Sequence, residues 1–133
     1  MAVFSEIIKL KTEPDKLYDL TMQIKDAVKD SKIDTGTCNV FCPGSTGAMI
    51  INEADPMLFQ DIKNALERIA PKKALYHHPD NGYSHIRAAL IGCDKSIPII
   101  ENKLVLGQWQ NVFFLECDEK NREREIFVSI NGE

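Results

Sequence analysis

Apolar residues recur along this chain at two different periods. Leu17, Leu20, Ile24, Ala27 and Val28 fall on one helical stripe, at the i, i+3/i+4 spacing of an amphipathic helix. Pro14 and Asp15 stand just ahead of it, and a proline followed by an acid suits a first turn. A second stripe runs through Leu58 or Phe59, Ile62, Leu66 and Ile69. Asp55-Pro56 opens that helix as N-cap and first helical residue, and Pro71 stops it. Strand patterns bracket the helices. Val3–Thr12 is rich in β-branched and aromatic residues, and Ile126, Val128 and Ile130 occupy alternate positions, the period of a half-buried strand.

Between these elements lie two long uncharged runs, 18 residues from Thr35 to Asn52 and 12 from Leu104 to Leu115. The first reads as strands Thr37–Cys42 and Ala48–Asn52 around a Pro43-Gly44-Ser45-Thr46-Gly47 loop. Lack of charge places such strands in the middle of a sheet or in a subunit interface. Residues 72–82 read as a loop rich in turn formers. Ser84–Gly92 fits a short helix, with Ser84 as N-cap and Gly92 as C-terminal cap, although Ile86, Ala88 and Leu90 also alternate. Ile97–Ile100 reads as a strand and Glu101-Asn102-Lys103 as a tight turn. Two helices interleaved early and several adjacent strands late predict one α+β domain, residues 1–133, with a largely antiparallel sheet and a short third helix.

The 133 residues carry 16 Lys+Arg against 20 Asp+Glu, a net charge of −4. A protein that lives on phosphate contacts to nucleic acid normally reads basic, so a nucleic-acid partner is not expected. The longer uncharged run is broken by Gly36, Pro43, Gly44 and Gly47 and does not read as a membrane span. No basic-then-apolar leader opens the chain, and a cytoplasmic setting is the expectation. Cys38, Cys42, Cys93 and Cys117 form no CxxC pair; buried small hydrophobes are favoured over a metal or redox pair.

Candidate chemistry concentrates in two loops. The three histidines, His77, His78 and His85, lie within nine positions. Imidazole is the commonest metal ligand and titrates near neutrality, yet the spacing is neither HExxH nor a closed zinc pattern. His77 and His78 are adjacent, so one of them can face a site that His85 shares. In the Pro43–Gly47 loop, backbone N–H groups and the Ser45 and Thr46 hydroxyls can cradle an anion, without the lysine of a Walker loop. Glu53 ends an uncharged strand just before a helix N-terminus, which favours a carboxylate that stays ionised as base or ligand. Arg87 is the cation nearest to these loops in sequence. Gln110 follows Trp109, the sole tryptophan, at the start of an apolar run.

In order along the chain stand Cys42-Pro43-Gly44-Ser45-Thr46-Gly47-Ala48-Met49-Ile50-Ile51-Asn52-Glu53, then Leu66-Glu67-Arg68-Ile69-Ala70-Pro71. Next comes Tyr76-His77-His78-Pro79-Asp80-Asn81-Gly82-Tyr83-Ser84-His85, and finally Leu106-Gly107-Gln108-Trp109-Gln110. This succession resembles the YjbQ-like family of small uncharacterised proteins, labelled secondary thiamine-phosphate synthases, over roughly residues 5–133. The resemblance implies an α+β fold with a β-sandwich-like sheet, a homotrimer, and a polar pocket to which Glu53, His78, His85 and Gln110 contribute. It further implies a transferase that joins a pyrimidine pyrophosphate to a thiazole phosphate and releases pyrophosphate, chemistry that calls for a divalent metal ion and stabilisation of the leaving group. At one place the chain departs from the family: Gly44-Ser45-Thr46-Gly47 stands where His-Thr-Thr-Ala recurs. A three-imidazole site therefore lacks its first histidine unless His77 substitutes.

Two readings follow. In one, an enzyme acts on a small phosphorylated or anionic substrate. Glu53, His78 and His85 are then catalytic, Ser45, Thr46, Arg87 and Gln110 grip the substrate, and His78 and His85 ligate Zn or Mg. In the other, a non-catalytic homotrimer binds a metal or a metabolite in the same pocket.

Overall fold

The computed structural model describes residues 1–133. The elements run β1 (Ala2–Thr12), β2 (Leu17–Asp19), α1 (Thr21–Ser31), β3 (Gly36–Phe41), β4 (Gly47–Asn52), α2 (Pro56–Ile69), α3 (Gly82–Ile91), β5 (Asp94–Ile100), β6 (Lys103–Leu104), β7 (Asn111–Glu116) and β8 (Arg122–Gly132). A five-stranded sheet has the order β1-β8-β3-β5-β6 and a three-stranded sheet the order β2-β7-β4. Every ladder is antiparallel.

The larger sheet alternates faces along its strands. On β8, Ile126, Val128 and Ile130 are buried; Val128 and Ile130 pair in register with Val40 and Cys38 of β3, and Ile126 with Ile8 of β1. These residues meet Met49, Val112 and Phe114 of the smaller sheet, Ile24, Ala27 and Val28 of α1, and Leu20 just ahead of that helix in one core. The smaller sheet is buried on both faces. Its other side, Ala48, Ile50, Phe113, Leu115 and Cys117, packs against Leu66, Phe59 and Ile62 of α2. A strand covered on both faces has no room for charge, which accounts for much of the two uncharged runs without any interface.

Three expectations need correction. The first helix does not start at Pro14-Asp15. Leu17–Asp19 instead pairs with Leu115–Phe113 as strand β2, a tertiary pairing that overrides local helix signals. The helix begins at Thr21, whose backbone N–H and hydroxyl both donate to Asp19 Oδ1. In α2, Asp55 and Pro56 act as expected, with Asp55 Oδ1 accepting from Met57 N–H at 2.9 Å. Ile69, however, is 62% exposed, beyond the patch that Phe59, Ile62 and Leu66 cover. The third element is a helix as favoured, but Asn81 holds its N-cap position and Ser84 lies within it. The buried Ser84 Oγ has no hydrogen-bond partner.

Candidate functional site

The β3–β4 connection folds against the end of both sheets. Gly44 has φ +114°, a backbone region that side chains disfavour. Thr46 anchors the loop. Its carbonyl accepts from Cys117 N–H at 3.0 Å, and its hydroxyl accepts from Arg124 Nη2 at 2.9 Å and faces Asp118 Oδ2 at 3.4 Å. At 2% exposure, Thr46 is a fastening rather than the ligand grip that its sequence context suggested. Ser45 beside it is exposed. Between this loop and α3 lies a cavity of about 440 Å³, lined by Gly44, Ser45, Gly47, His85, Ala88 and Cys93 among others. That is ample for a small molecule.

The histidine loop is fastened at both ends. Tyr76 donates its hydroxyl to Pro71 O at 2.6 Å. Gly82 lies so close to Tyr76 that a Cβ there would stand 2.7 Å from the Tyr76 Cβ. Asn81 Nδ2 donates to Asp118 Oδ1 at 3.1 Å. This folding brings the His78 and His85 rings edge to face, with centroids 4.6 Å apart. His85 is half-buried in the cavity wall, and His77 and His78 are exposed.

Behind the cavity sits a buried polar cluster that sequence spacing did not reveal. Glu116, fully buried, takes two hydrogen bonds from Arg124: Nε to Oε1 at 2.8 Å and Nη2 to Oε2 at 2.5 Å. Thr12 Oγ1 donates to Glu116 Oε1 at 2.6 Å. The Arg124 guanidinium also lies under the loop, with Nη1 3.1 Å from where a Gly44 Cβ would be. Burial works against its charge, but the hydrogen bonds and attraction from Glu116 outweigh that and raise its pKa. Asp118 is 1% exposed. Burial pushes its carboxyl up, yet the hydrogen bonds from Asn81 and from Glu119 N–H, with Arg122 and Arg124 nearby, hold it below its ordinary value of 3.8. Arg122 Nε lies 2.8 Å from Asp118 Oδ2 but makes no aligned hydrogen bond there, so that contact is an ion pair only. The sole signal for this cluster was two charged residues, Glu116 and Arg124, at positions of otherwise buried strands.

Other candidates fall elsewhere. Arg87 is not a free cation at the loop. Its guanidinium donates to Ala70 O at 3.0 and 2.9 Å and to Glu67 Oε2 at 2.7 Å, pinning α3 to the end of α2. Glu53 and Gln110 lie at the far end of the β4–β7 ladder. The register pairs Gly47 with Glu116 and Asn52 with Asn111, so Glu53 and Gln110 flank that end together. From Gly47 to Glu53 is roughly 20 Å along a strand, which keeps both residues apart from Ser45 within one chain. Gln110 Oε1 accepts from Gly107 N–H at 2.7 Å and closes its own turn. Burial pushes the Cys38 and Cys42 thiols up to about 11 and that of Cys117 to about 12. All three are therefore protonated at neutral pH, as buried hydrophobes would be.

No three His, Cys, Asp or Glu side chains converge as a metal site. His78 and His85 alone supply two ligands, fewer than a structural zinc site or the protein part of a catalytic one requires. No helix is long and apolar enough to cross a membrane.

Known proteins share this fold. A YjbQ-like protein of unknown function from Sulfolobus solfataricus superposes with a TM-score of 0.90 at 31% identity, covering 99% of this chain and 100% of its own. An uncharacterised protein of the yjbq/upf0047 family from Clostridium acetobutylicum gives 0.89 at 40% identity, covering 95% and 99%. A UPF0047 protein of Methanothermobacter thermautotrophicus is 38% identical over 99% of this chain and 94% of its own length. The family model described as UPF0047 protein YjbQ-like matches residues 6–133, a span that takes in both loops, the buried Glu116–Arg124 pair and the strand that carries it, and the chain belongs to that family.

Proposed function

We propose that this chain binds a small phosphorylated or otherwise anionic molecule in the cavity between the 43–47 loop and α3, and that it is an enzyme. One observation carries the reading: Ser45 and His85, distant in sequence, line the same cavity. The Ser45 hydroxyl is free to donate to an anion. An imidazole can donate from one nitrogen and accept at the other, so His85 can hold an oxyanion or move a proton, with His78 against its ring. The reaction class is a thiamine-phosphate-synthase-type transfer, run as a secondary activity in the cytoplasm.

The working form is a homotrimer. Ile7, Phe127 and Phe41 stand side by side across three strands by register, and they are 46%, 40% and 40% exposed, a row that association would cover. In such an assembly Glu53 and Gln110 of one subunit would serve the histidine end of the next, with Glu53 as the base. The test is turnover of a pyrimidine pyrophosphate with a thiazole phosphate, read as released pyrophosphate, over a panel of phosphorylated substrates. Turnover lost in His85→Ala and Ser45→Ala supports the reading; no turnover and no binding of any phosphorylated compound sinks it.

A second reading has its own observation. The paired imidazoles have no carboxylate base beside them, which suits a non-catalytic homotrimer binding a divalent ion or a metabolite. Metal analysis of purified protein, alongside calorimetry with Zn and Mg, separates the two: stoichiometric metal lost in His78→Ala, without turnover, favours the binder.

A further inference from the structure

Two walls face each other across the cavity, and each is built by a different part of the chain. The Ser45 wall is the β3–β4 loop. The histidine wall is α3 and the residues just after it, His85, Ala88, Gly92 and Cys93 among them, and the 76–81 loop leads into that helix and sets His78 against His85. No strand pairing joins the two loops. Backbone hydrogen bonds join the bases of the two walls, Cys42 N–H to Cys93 O at 2.9 Å and Met49 N–H to Gly92 O at 3.0 Å; between the two loops themselves the shared side chain is one carboxylate. Asp118 Oδ1 accepts from Asn81 Nδ2 at 3.1 Å, four residues before His85 and three after His78. Asp118 Oδ2 faces the Thr46 hydroxyl at 3.4 Å, one residue after Ser45. The same side chain is fixed from behind by Glu119 N–H at 2.8 Å and by Arg122 at 2.8 Å. Its own backbone N–H donates to Glu116 Oε2 at 3.1 Å. A buried side chain held from this many directions cannot follow one wall without moving the other.

We propose that Asp118 is a positioning residue that sets the spacing between Ser45 and the His78–His85 pair, and so decides whether both walls reach one anion. The proposal rests on the anion-binding reading of the cavity. Asp118 does not line the cavity and is not assigned contact with the ligand. It acts through Asn81 on one side and Thr46 on the other. The two links can be cut separately: Asn81→Ala removes the histidine-side bond, and Thr46→Val removes the loop-side bond at constant shape, together with the one its hydroxyl accepts from Arg124. Asp118→Asn disturbs both.

The two imidazoles report the geometry directly. Rings edge to face at 4.6 Å shift each other's carbon-bound protons by their ring currents. The experiment records the His78 and His85 Cε1–H signals by NMR in the full chain and its variants, with inorganic pyrophosphate affinity by calorimetry. Asn81→Ala is expected to erase the mutual ring shift, to leave the Ser45 and Thr46 amide signals in place, and to weaken pyrophosphate binding about tenfold. Thr46→Val is expected to move the loop signals alone. Asp118→Asn is expected to move both sets together. Asn81 is a half-buried loop residue, so its variant decides the matter even if Asp118→Asn fails to fold.

Unchanged histidine signals in Asn81→Ala overturn the proposal. So does a lost ring shift with pyrophosphate affinity intact, since the spacing then has no bearing on the ligand. If wild-type protein binds neither pyrophosphate nor phosphate, the anion reading falls and the role of Asp118 in ligand binding falls with it. The ring signals would then still show, separately, whether Asp118 ties the two walls together.

Discussion

The β4–β7 ladder has two ends of opposite character. At the Gly47–Glu116 end the polar side chains are buried and answered: Thr12, Thr46, Glu116, Asp118 and Arg124 are each at most 7% exposed. At the Asn52–Asn111 end, Glu53, Trp109 and Gln110 are exposed, and the one side-chain bond made by Gln110 spans its own turn. Both ends carry residues that look chemical in sequence. Only the first end has a built scaffold behind them. Precise placement of a reacting group depends on the groups that hold it, so the comparison favours the histidine end as the place where a ligand is oriented.

The sharpest test of this contrast is Arg124→Gln. It strands a buried Glu116 without its partner, a change that typically costs about 3–5 kcal/mol. A urea midpoint within error of wild type would erase the distinction between the ends. Thr46→Val should cost about 1.5–3 kcal/mol, because it removes the acceptor for a charged, buried donor, again read by urea denaturation. Acid comes next. Asp118 is held below 3.8 in the folded chain, so its stabilisation is present above that value and drains away as pH falls through the lower folded value. Asp118→Asn should therefore lose less stability than wild type between pH 5 and pH 3, measured by thermal melts. At the far end, Glu53→Gln should change stability by less than about 0.5 kcal/mol, as surface substitutions usually do. If it nonetheless weakens pyrophosphate binding, the two ends meet across subunits, and a shift in sedimentation for Phe41→Glu should accompany that result.

The alternating residues of β8, the Asp55-Pro56 start of α2 and the Gly92 stop of α3 were legible because each signal is local: a period, a cap, a positive φ. The closeness of His78 and His85 was legible because a short turn-rich loop joins them. Strand β2 was not. Its pairing partner, Leu115 to Phe113, lies almost a hundred residues away, and nothing in Leu17–Asp19 announces it. The misplacement of Arg87 has the same origin. Sequence proximity to His85 suggested a pocket cation, while Ala70 and Glu67 decide where the guanidinium goes. Arg124, the cation that does lie under the loop, comes from the far side of the chain. Thr46 shows a further limit: a hydroxyl in a glycine loop reads as a grip, and only the fold reveals that it points inward.

Strand β8 lies between β1 and β3, although β1 is the first element of the chain and β8 the last. On a ribosome, therefore, β1 has no partner at all until residues 122–132 emerge. The larger sheet cannot close in the order in which it is made. For most of synthesis the chain carries an unpaired, eleven-residue first strand, with Ile7 and Val3 on the face that stays exposed even after folding. Late, non-local pairing of this kind slows folding and leaves edges open to other chains. Shortening the chain within β8 would thus release two strands rather than one, and yield would suffer well before any site residue was lost.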